Sequence, residues 1–207
     1  MDVLQRGLGE AFNDGIHWDF VVQVRDVEYK VLKLIVGIHS EVFQRMFAAN
    51  MREAEEGRVK ITGYKPKAVG HALRFCYTGE LKAMKLSRLL EVYRVAHYFR
   101  VLSLIDVCRK RAVNEMDTSN VLQWLEIAFK YDDECLQHYL LFYVVEKNEE
   151  IRALPEFAAF FEQHPSIALA MFRRMADDRN MEVESRRQRE QQAAEQRVAC
   201  WSDDDFP

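Results

Sequence analysis

The sequence has few cysteines and no paired-cysteine motif. The four cysteines, Cys76, Cys108, Cys135 and Cys200, lie far apart, and none of them forms a C-x-x-C pair. The opening segment MDVLQRGLGE also lacks the apolar core that a signal peptide needs. These two absences favour a reducing compartment with free thiols, and therefore a cytoplasmic or nuclear protein.

Long apolar runs and an excess of basic charge are missing as well. No apolar run approaches the roughly 20 residues that a membrane-spanning helix needs. The formal net charge is -4, whereas nucleic acids and anionic membrane surfaces attract basic proteins. We therefore predict no membrane span, no membrane partner and no nucleic-acid partner.

Sequence motifs of catalysis and metal binding are absent too. The triplet at 7–9, GLG, lacks both the third glycine and the preceding strand of a dinucleotide-binding loop. No Walker motif, G-x-S-x-G or H-E-x-x-H occurs, and no two of the six histidines are four positions apart. His71 and Cys76 share a predicted helix but are five positions apart, on different faces. We predict that the protein is not an enzyme and that it has no metal site and no cofactor.

What the sequence does contain is a large apolar fraction, 49%, with 13 phenylalanines, which predicts a folded chain. Near the N-terminus, Leu4, Leu8 and Phe12 are spaced as i, i+4 and i+8. This spacing predicts one apolar stripe on an amphipathic helix, which the Asn-Asp-Gly cluster at 13–15 ends. Such a short stripe needs a surface to cover it.

Strand and helix patterns then follow one another. Stretches rich in Val, Phe and Tyr at 18–24 and 27–31 predict a β-hairpin, and RVKITG predicts a further strand. Ser40 is a suitable N-cap for the Phe-rich segment EVFQRMFA. Pro66 is placed to begin a helix that Gly79 ends. Two helical patterns between 85 and 116 include Cys108, which we predict to be a packed core thiol.

The region after this is helical throughout. From 121 to 172 the pattern is helical, with Asp117 or Thr118 as the predicted first N-cap. Breaks are predicted at Asp132-Asp133, Pro155 and Pro165. Beyond Ala176 the sequence is dominated by Arg, Glu and Gln, which predicts a frayed helix and a loose acidic end. The predicted sections are an α+β domain at 1–115, a helical section at 116–176 and a charged, partly disordered tail at 177–207.

The stretches WDFVVQV, YKVLKLIVGIHSEVFQRMF, VKITGYKPKAVGHALRFCYTGEL and AHYFRVLSLIDVC occur in this order. Together they cover about residues 16–112 and resemble the BTB (POZ) domain. Asp19 matches the family's pattern, while Leu32 stands where the family usually has His and Phe99 where it usually has Tyr. The resemblance implies a short mixed sheet flanked by helices.

The helical section is similar to the three-box and shortened BACK helices that follow the BTB domain in speckle-type POZ adaptors. The matching stretches are NVLQWLEIAFKYDDECLQHYLLFYV and HPSIALAMFR. The resemblance implies a binding module that has no catalytic residues. It implies a homodimer, and in one subset of the family an adaptor that binds the N-terminal domain of a cullin scaffold in a ubiquitin ligase.

In that subset a hydrophobic residue, any residue and then Glu lie in the loop after the Phe-rich helix. Met51, Arg52 and Glu53 occupy this place. The resemblance implies that Met51 enters a groove on the cullin and that Glu53 holds the loop, and we assign Phe47 to the same partner-binding surface. An alternative is that Met51 completes the preceding helix and packs one turn beyond Phe47.

The remaining partners follow from the same resemblance. We predict that Leu4, Leu8 and Phe12 form the dimer interface, because this stripe would otherwise lie partly in water. With no MATH domain, Kelch repeat or zinc finger in the sequence, a protein substrate of unknown identity would be recruited through the helices or the tail. The alternative function is a self-associating scaffold or transcriptional co-regulator that has no cullin partner.

Overall fold

A computed structural model describes residues 3–49 and 51–202, and it divides into two units between Tyr131 and Asp132. The elements of the first unit are, in chain order, α1 (Val3–Asp14), β1 (Phe20–Val24), β2 (Val27–Val31), α2 (Lys33–His39), α3 (Glu41–Ala48), α4 (Arg52–Glu56), β3 (Arg58–Ile61), α5 (Pro66–Thr78), α6 (Leu86–Phe99), α7 (Leu102–Glu115) and α8 (Val121–Lys130). The elements of the second unit are α9 (Glu134–Glu146), α10 (Asn148–Arg152), α11 (Phe157–Gln163) and α12 (Pro165–Ser202).

A small mixed sheet lies in the first unit, with the strand order β2-β1-β3. β1 runs antiparallel to β2, with Phe20 opposite Val31, and parallel to β3, with Val21 opposite Arg58. The alternation of β-branched residues in the sequence is typical of such strands. The predicted hairpin, the predicted third strand and the α+β fold class are confirmed.

The core of the first unit surrounds the central strand β1. Phe20, Val22 and Val24 are fully buried, and α6 buries Leu89 and Tyr93 in the same unit. α6 packs against α5 on one side and α7 on the other, and α1 packs against α5. Because a fully buried Phe or Leu side chain contributes roughly 1.5–3 kcal/mol, the burial of these residues stabilises this unit.

Several helix ends lie where local sequence signals predict them. The Ser40 hydroxyl accepts a hydrogen bond from the Phe43 N–H and caps α3. Pro66 is the first residue of α5, and Gly79 ends that helix in the left-handed conformation at φ 66°. A non-glycine residue at this φ would be strained, which is the reason that glycine marks the end of the helix.

The start of α8 differs from the prediction. The helix begins at Val121 with Asn120 before it, so neither Asp117 nor Thr118 is its N-cap. The Asp117 carboxylate instead accepts hydrogen bonds from the backbone and the hydroxyl of Ser119 and closes a short turn. A carboxylate occupied in this way cannot cap the helix.

The helix α8 packs within the first unit. Its Trp124 is 1% exposed and lies 5.4 Å from the ring of Tyr93 on α6, measured between centroids. This packing places α8 in the first unit, although the sequence assigned residues from 116 onwards to a separate helical section. The domain boundaries at 115, 116 and 176 stay predictions.

The second unit is helical, as predicted. Asp133 caps α9 by accepting a hydrogen bond from the Leu136 N–H, and Asp132 adopts φ 53°, so the predicted break at these aspartates is confirmed. Pro165 is the first residue of α12. This helix continues to Ser202 without a break at Ala176. The last five positions of the predicted tail, 203–207, lie outside the described residues.

Two cysteines belong to the core of the first unit. Burial raises the pKa of the Cys108 thiol to about 12, and burial likewise raises that of Cys76 to about 12. Cys108 is fully buried, which confirms the predicted core thiol, and at neutral pH it is protonated and a poor nucleophile. Within 3–49 and 51–202, no helix is long and apolar enough to cross a membrane, and no cluster of ligands suitable for a metal ion occurs.

Candidate protein-interaction surface

An aromatic cluster formed by Phe20, Phe43, Phe47 and Phe99 ties α3 to β1 and α6. The Phe47 ring lies 5.0 Å from that of Phe20 and 5.8 Å from that of Phe43, and Phe43 stacks on Phe99 at 4.7 Å. Edge-to-face and offset contacts at these distances add about 0.5–1.5 kcal/mol per pair to the burial of the rings. The Phe-rich pattern of α3 therefore serves the core, and Phe47 packs chiefly within its own chain.

Met51 lies just beyond α3, in the turn that leads to α4. α3 ends at Ala48, and Met51 occupies the N-cap position of α4 with an extended backbone. Its carbonyl accepts hydrogen bonds from the N–H groups of Ala54 and Glu55, so its backbone is fixed. Its side chain is 46% exposed. The alternative that Met51 completes the preceding helix is wrong.

Lys33 connects the aromatic cluster to α4. Its ammonium nitrogen lies 5.7 Å from the ring centroids of Phe20 and of Phe47, and it donates a hydrogen bond of 3.2 Å to the Ala54 carbonyl. A cation over an aromatic face contributes about 0.5–1 kcal/mol at a partly exposed site. Lys33 thus holds the helix that follows Met51 against the folded core. The sequence does not predict this role for Lys33, because a single lysine carries no periodic signal.

Glu53 lies in the first turn of α4 and is half-buried. A carboxylate at this position interacts favourably with the positive end of the helix dipole. Within the described ranges its side chain makes no hydrogen bond, and α4 has no side-chain cap. The loop-holding role that the resemblance implies for Glu53 therefore stays a prediction, and the helix dipole is the interaction that the structure offers it.

The apolar stripe on α1 is only partly covered by its own chain. Phe12 packs on the rings of Tyr77 at 5.1 Å and Tyr29 at 6.4 Å, and Leu8 is half-buried. Leu4, by contrast, is 68% exposed. The stripe thus runs from a packed end at Phe12 to an open end at Leu4, and its role as a dimer interface stays a prediction.

Further exposed apolar side chains lie on neighbouring elements. Leu34 and Ile38 are 71% and 69% exposed, and they are four positions apart on one face of α2. Tyr98 at the end of α6 and Leu102 at the start of α7 are exposed as well. The i, i+4 spacing of Leu34 and Ile38 is visible in the sequence, but apolar residues at this spacing are typical of a buried helix face.

Asp19, which matches the family pattern, and Leu32, which departs from it, both form hydrogen bonds at the start of α2. The Asp19 carboxylate accepts a hydrogen bond of 2.7 Å from the Lys33 N–H. The Leu32 N–H donates a hydrogen bond of 2.7 Å to the Tyr77 hydroxyl. Both contacts satisfy N–H groups that a helix start leaves without an intrahelical partner. In this chain the two positions therefore have a structural role.

The first unit is thus a small mixed sheet surrounded by helices, with several apolar side chains exposed on its surface. A family model described as "BTB/POZ domain" matches residues 8–116, just over half of the chain, and the chain belongs to this family. The predicted resemblance is confirmed, including the helical region after the domain.

The chain is similar to several curated proteins. It is 25% identical over 170 residues to "BTB and MATH domain-containing protein 40" of Caenorhabditis elegans. This alignment covers 80% of the chain and 42% of the worm protein. It is 24% identical over 175 residues to "TD and POZ domain-containing protein 1" of Mus musculus, with 84% and 48% covered. For "Kelch-like protein 22" of Homo sapiens the values are 28% over 158 residues, with 73% and 25% covered. The chain thus spans about half or less of the length of these relatives.

Among solved structures, the chain is similar to the "BTB domain of zebrafish PATZ1", with a TM-score of 0.45 and 20% identity. The match covers 51% of this chain and 85% of that one.

Proposed function

We propose that the chain is a substrate adaptor of a cullin-RING ubiquitin ligase and that it acts as a homodimer in the cytoplasm or the nucleus. The observation that carries the proposal is the state of Met51. This apolar side chain is exposed on a backbone that two hydrogen bonds fix, in the loop where the family resemblance implies a hydrophobic residue followed one position later by Glu. A pre-ordered apolar anchor loses little entropy on binding.

In this proposal Met51 enters a groove on the N-terminal domain of the cullin. The polar residues around it, Arg52 and Glu55, are exposed and would form the rim that excludes water from the anchor. Glu53 stabilises the first turn of α4 through the helix dipole. The adaptor brings a protein substrate close to the ligase, and the chemistry of ubiquitin transfer takes place on other subunits.

The homodimer is proposed to form through the open end of the α1 stripe. Val3 and Leu4 are the most exposed apolar residues of this helix. Burying apolar side chains contributes about 25 cal/mol per Å², from which the cost of association is subtracted. We therefore expect a dimer at micromolar concentration.

Calorimetric titration with a panel of purified cullin N-terminal domains tests the adaptor role. Met51→Ala should weaken binding by about 1–3 kcal/mol, which is roughly one to two orders of magnitude in Kd. The matched control is Met181→Ala, since Met181 is an exposed methionine on α12, at 59% against 46% for Met51. If the unmutated chain binds none of these domains at tens of micromolar, the adaptor proposal fails and the self-associating scaffold takes its place.

Sedimentation equilibrium tests the dimer separately. Leu4→Glu should shift the chain towards monomer, because it places a charge on the stripe. Leu169→Glu, at an exposed leucine of α12, is the control. A clean monomer for the unmutated chain at micromolar concentration would refute the dimer and leave the cullin measurement unaffected.

A further inference from the structure

A groove of about 770 Å³ opens in the first unit between β2, the start of α5 and the start of α6. The apolar residues that line it are Val27, Tyr29, Pro66 and Ala68, and we call them the floor of the groove. The Tyr29 hydroxyl donates a hydrogen bond of 2.7 Å to the Pro66 carbonyl, which fixes the ring against α5. The floor is therefore rigid and suited to an apolar side chain.

The close approach of Tyr29 to α5 depends on Gly70. A Cβ atom at this position would lie 2.8 Å from the Tyr29 hydroxyl oxygen, which is closer than real contacts allow. Glycine at 70 thus allows the tyrosine ring to approach the helix this closely.

The rim of the groove is positively charged. Lys65, Lys67 and Arg88 line it, against the single carboxylate of Glu91. Glu91 is already paired with Lys65 at 3.3 Å and with Arg94 at 3.7 Å. Lys67 and Arg88 are exposed, and within the part of the chain that the structure describes neither makes an ion pair. The groove therefore has two cations without a counter-charge.

The positive charge continues along α5 beyond the groove. Lys67 and Arg74 are seven positions apart on one face of the helix, and the neutral imidazole of His71 lies between them. Burial lowers the pKa of His71, and the charges of Arg88, Lys82 and Arg74 lower it further. The segment that carries Lys82 is held in place by Arg111, whose guanidinium donates hydrogen bonds of 2.8 Å to the carbonyls of Lys82 and Leu81. These cations are thus close enough to act together.

The ends of two helices add to this field. α5 begins at Pro66 and α6 at Leu86, so the positive ends of both helix dipoles lie beside the groove. The whole chain, by contrast, carries a net charge of -4. The concentration of positive charge here is therefore a local property of this face, which favours a specific acidic partner over general polyanion binding.

We propose that this groove is a docking site for an acidic segment of a partner protein, in which Asp or Glu residues flank one large apolar side chain. The apolar side chain lies on the floor over Tyr29, and the carboxylates contact Lys67 and Arg88. In an adaptor this site would recruit the substrate, but the binding event itself needs no cullin. Its failure is therefore distinguishable from the failure of the adaptor role.

Fluorescence anisotropy with the full chain and a fluorescein-labelled peptide, GDEDFDEDG, tests the proposal. The double variant Lys67→Glu/Arg88→Glu should weaken binding by about tenfold or more, since each reversal replaces an attraction by a repulsion. The matched control, Lys60→Glu/Lys110→Glu, changes the net charge equally at exposed lysines outside the groove, and should change Kd by less than about twofold because salt screens distant charges.

Two further peptides and an oligonucleotide decide what the groove recognises. The neutral analogue GNQNFNQNG should bind at least about tenfold more weakly than the acidic peptide. Replacing the phenylalanine of the acidic peptide by alanine should raise its Kd severalfold. Equal binding of the neutral peptide, or equal weakening in the control double variant, would overturn the proposal. So would a single-stranded oligonucleotide that competes as well as the acidic peptide.

Thermal unfolding establishes that the variants are folded. If the double reversal lowers the midpoint of thermal unfolding, Lys67→Gln/Arg88→Gln is measured in its place. This variant should still weaken peptide binding severalfold. Binding by that folded variant as tight as that of the unmutated chain would refute the proposal.

Discussion

Phe47 and Met51 are four positions apart in the sequence, and both belong to the predicted partner-binding surface. Phe47 lies within a cluster of aromatic rings and beneath the ammonium group of Lys33. Met51 lies beyond the end of α3 with its side chain 46% exposed. The difference arises because α3 ends at Ala48, so Met51 no longer continues the buried face of the helix.

This comparison separates stability from recognition. A residue whose ring packs within the chain contributes to the free energy of unfolding, whereas an exposed apolar residue on a fixed backbone contributes to binding. The structure gives Phe47 the first role, and a direct contact between Phe47 and a partner stays a prediction. Truncating Phe47 is therefore expected to lower stability, whereas truncating Met51 is expected to weaken binding.

The largest expected effect is the loss of stability in Phe47→Ala. We expect the free energy of unfolding to fall by about 2–3 kcal/mol, less than for a fully buried Phe because the ring is half-buried. Met51→Ala should change it by less than about 0.5 kcal/mol. Urea unfolding of the two variants measures both values. If Phe47→Ala leaves stability unchanged and abolishes cullin binding, Phe47 is a contact residue and the comparison fails.

A smaller effect is expected for Lys33→Met. Losing the two cation–aromatic contacts and the hydrogen bond to Ala54 should cost about 1 kcal/mol of stability. Cullin binding should weaken severalfold although Met51 is intact, because α4 is no longer held against the core. The matched control is Lys30→Met, which removes a cation 5.2 Å from the Trp18 ring and leaves α4 untouched. Equal binding by both variants would show that α4 does not depend on Lys33.

Glu53→Gln should have a still smaller effect on stability. We expect a loss of about 0.3–1 kcal/mol that decreases as salt is added, since the helix dipole is screened by ions. Glu126→Gln, at an exposed glutamate in the middle of α8, is the control for stability. A loss that is independent of salt would indicate that Glu53 holds the loop through a hydrogen bond in solution.

The smallest effect is expected from removing the end of α12. Every side chain that the structure describes between Asp177 and Gln192 is exposed. Like Met51 and unlike Phe47, this segment therefore contributes little packing to the fold. A chain that ends at Ala176 should unfold within about 5 °C of the full chain, since a larger fall would mean more than 1 kcal/mol of lost packing. Differential scanning calorimetry of the two chains decides this.

Local signals explain the parts of the fold that the sequence predicts well. Ser40, Pro66 and Gly79 act on their own helix ends, so each is readable without knowledge of the tertiary structure. The hairpin and the third strand follow from short β-branched runs. The family resemblance then supplied the arrangement of these elements and the place of Met51.

The parts that were not predicted depend either on competition between local hydrogen bonds or on contacts between distant residues. Asp117 is a good N-cap by residue type, but Ser119 occupies its carboxylate, and this competition is not visible in the pattern. α8 belongs to the first unit because Trp124 meets Tyr93, a contact between residues far apart in the sequence. Lys33 and the basic groove likewise combine residues from several elements. A one-dimensional pattern does not contain this information.

The parallel pairing of β1 with β3 has a consequence for how the chain folds. β2 pairs with β1 after a turn at 25–26, whereas β3 reaches β1 only after residues 25–57 have been made. Closing the longer segment costs more entropy, so we expect the hairpin to form first and β3 to join later. Until then one edge of β1 is unpaired and can accept a strand from another chain. Newly synthesised chains are therefore most prone to strand exchange and aggregation between these two steps.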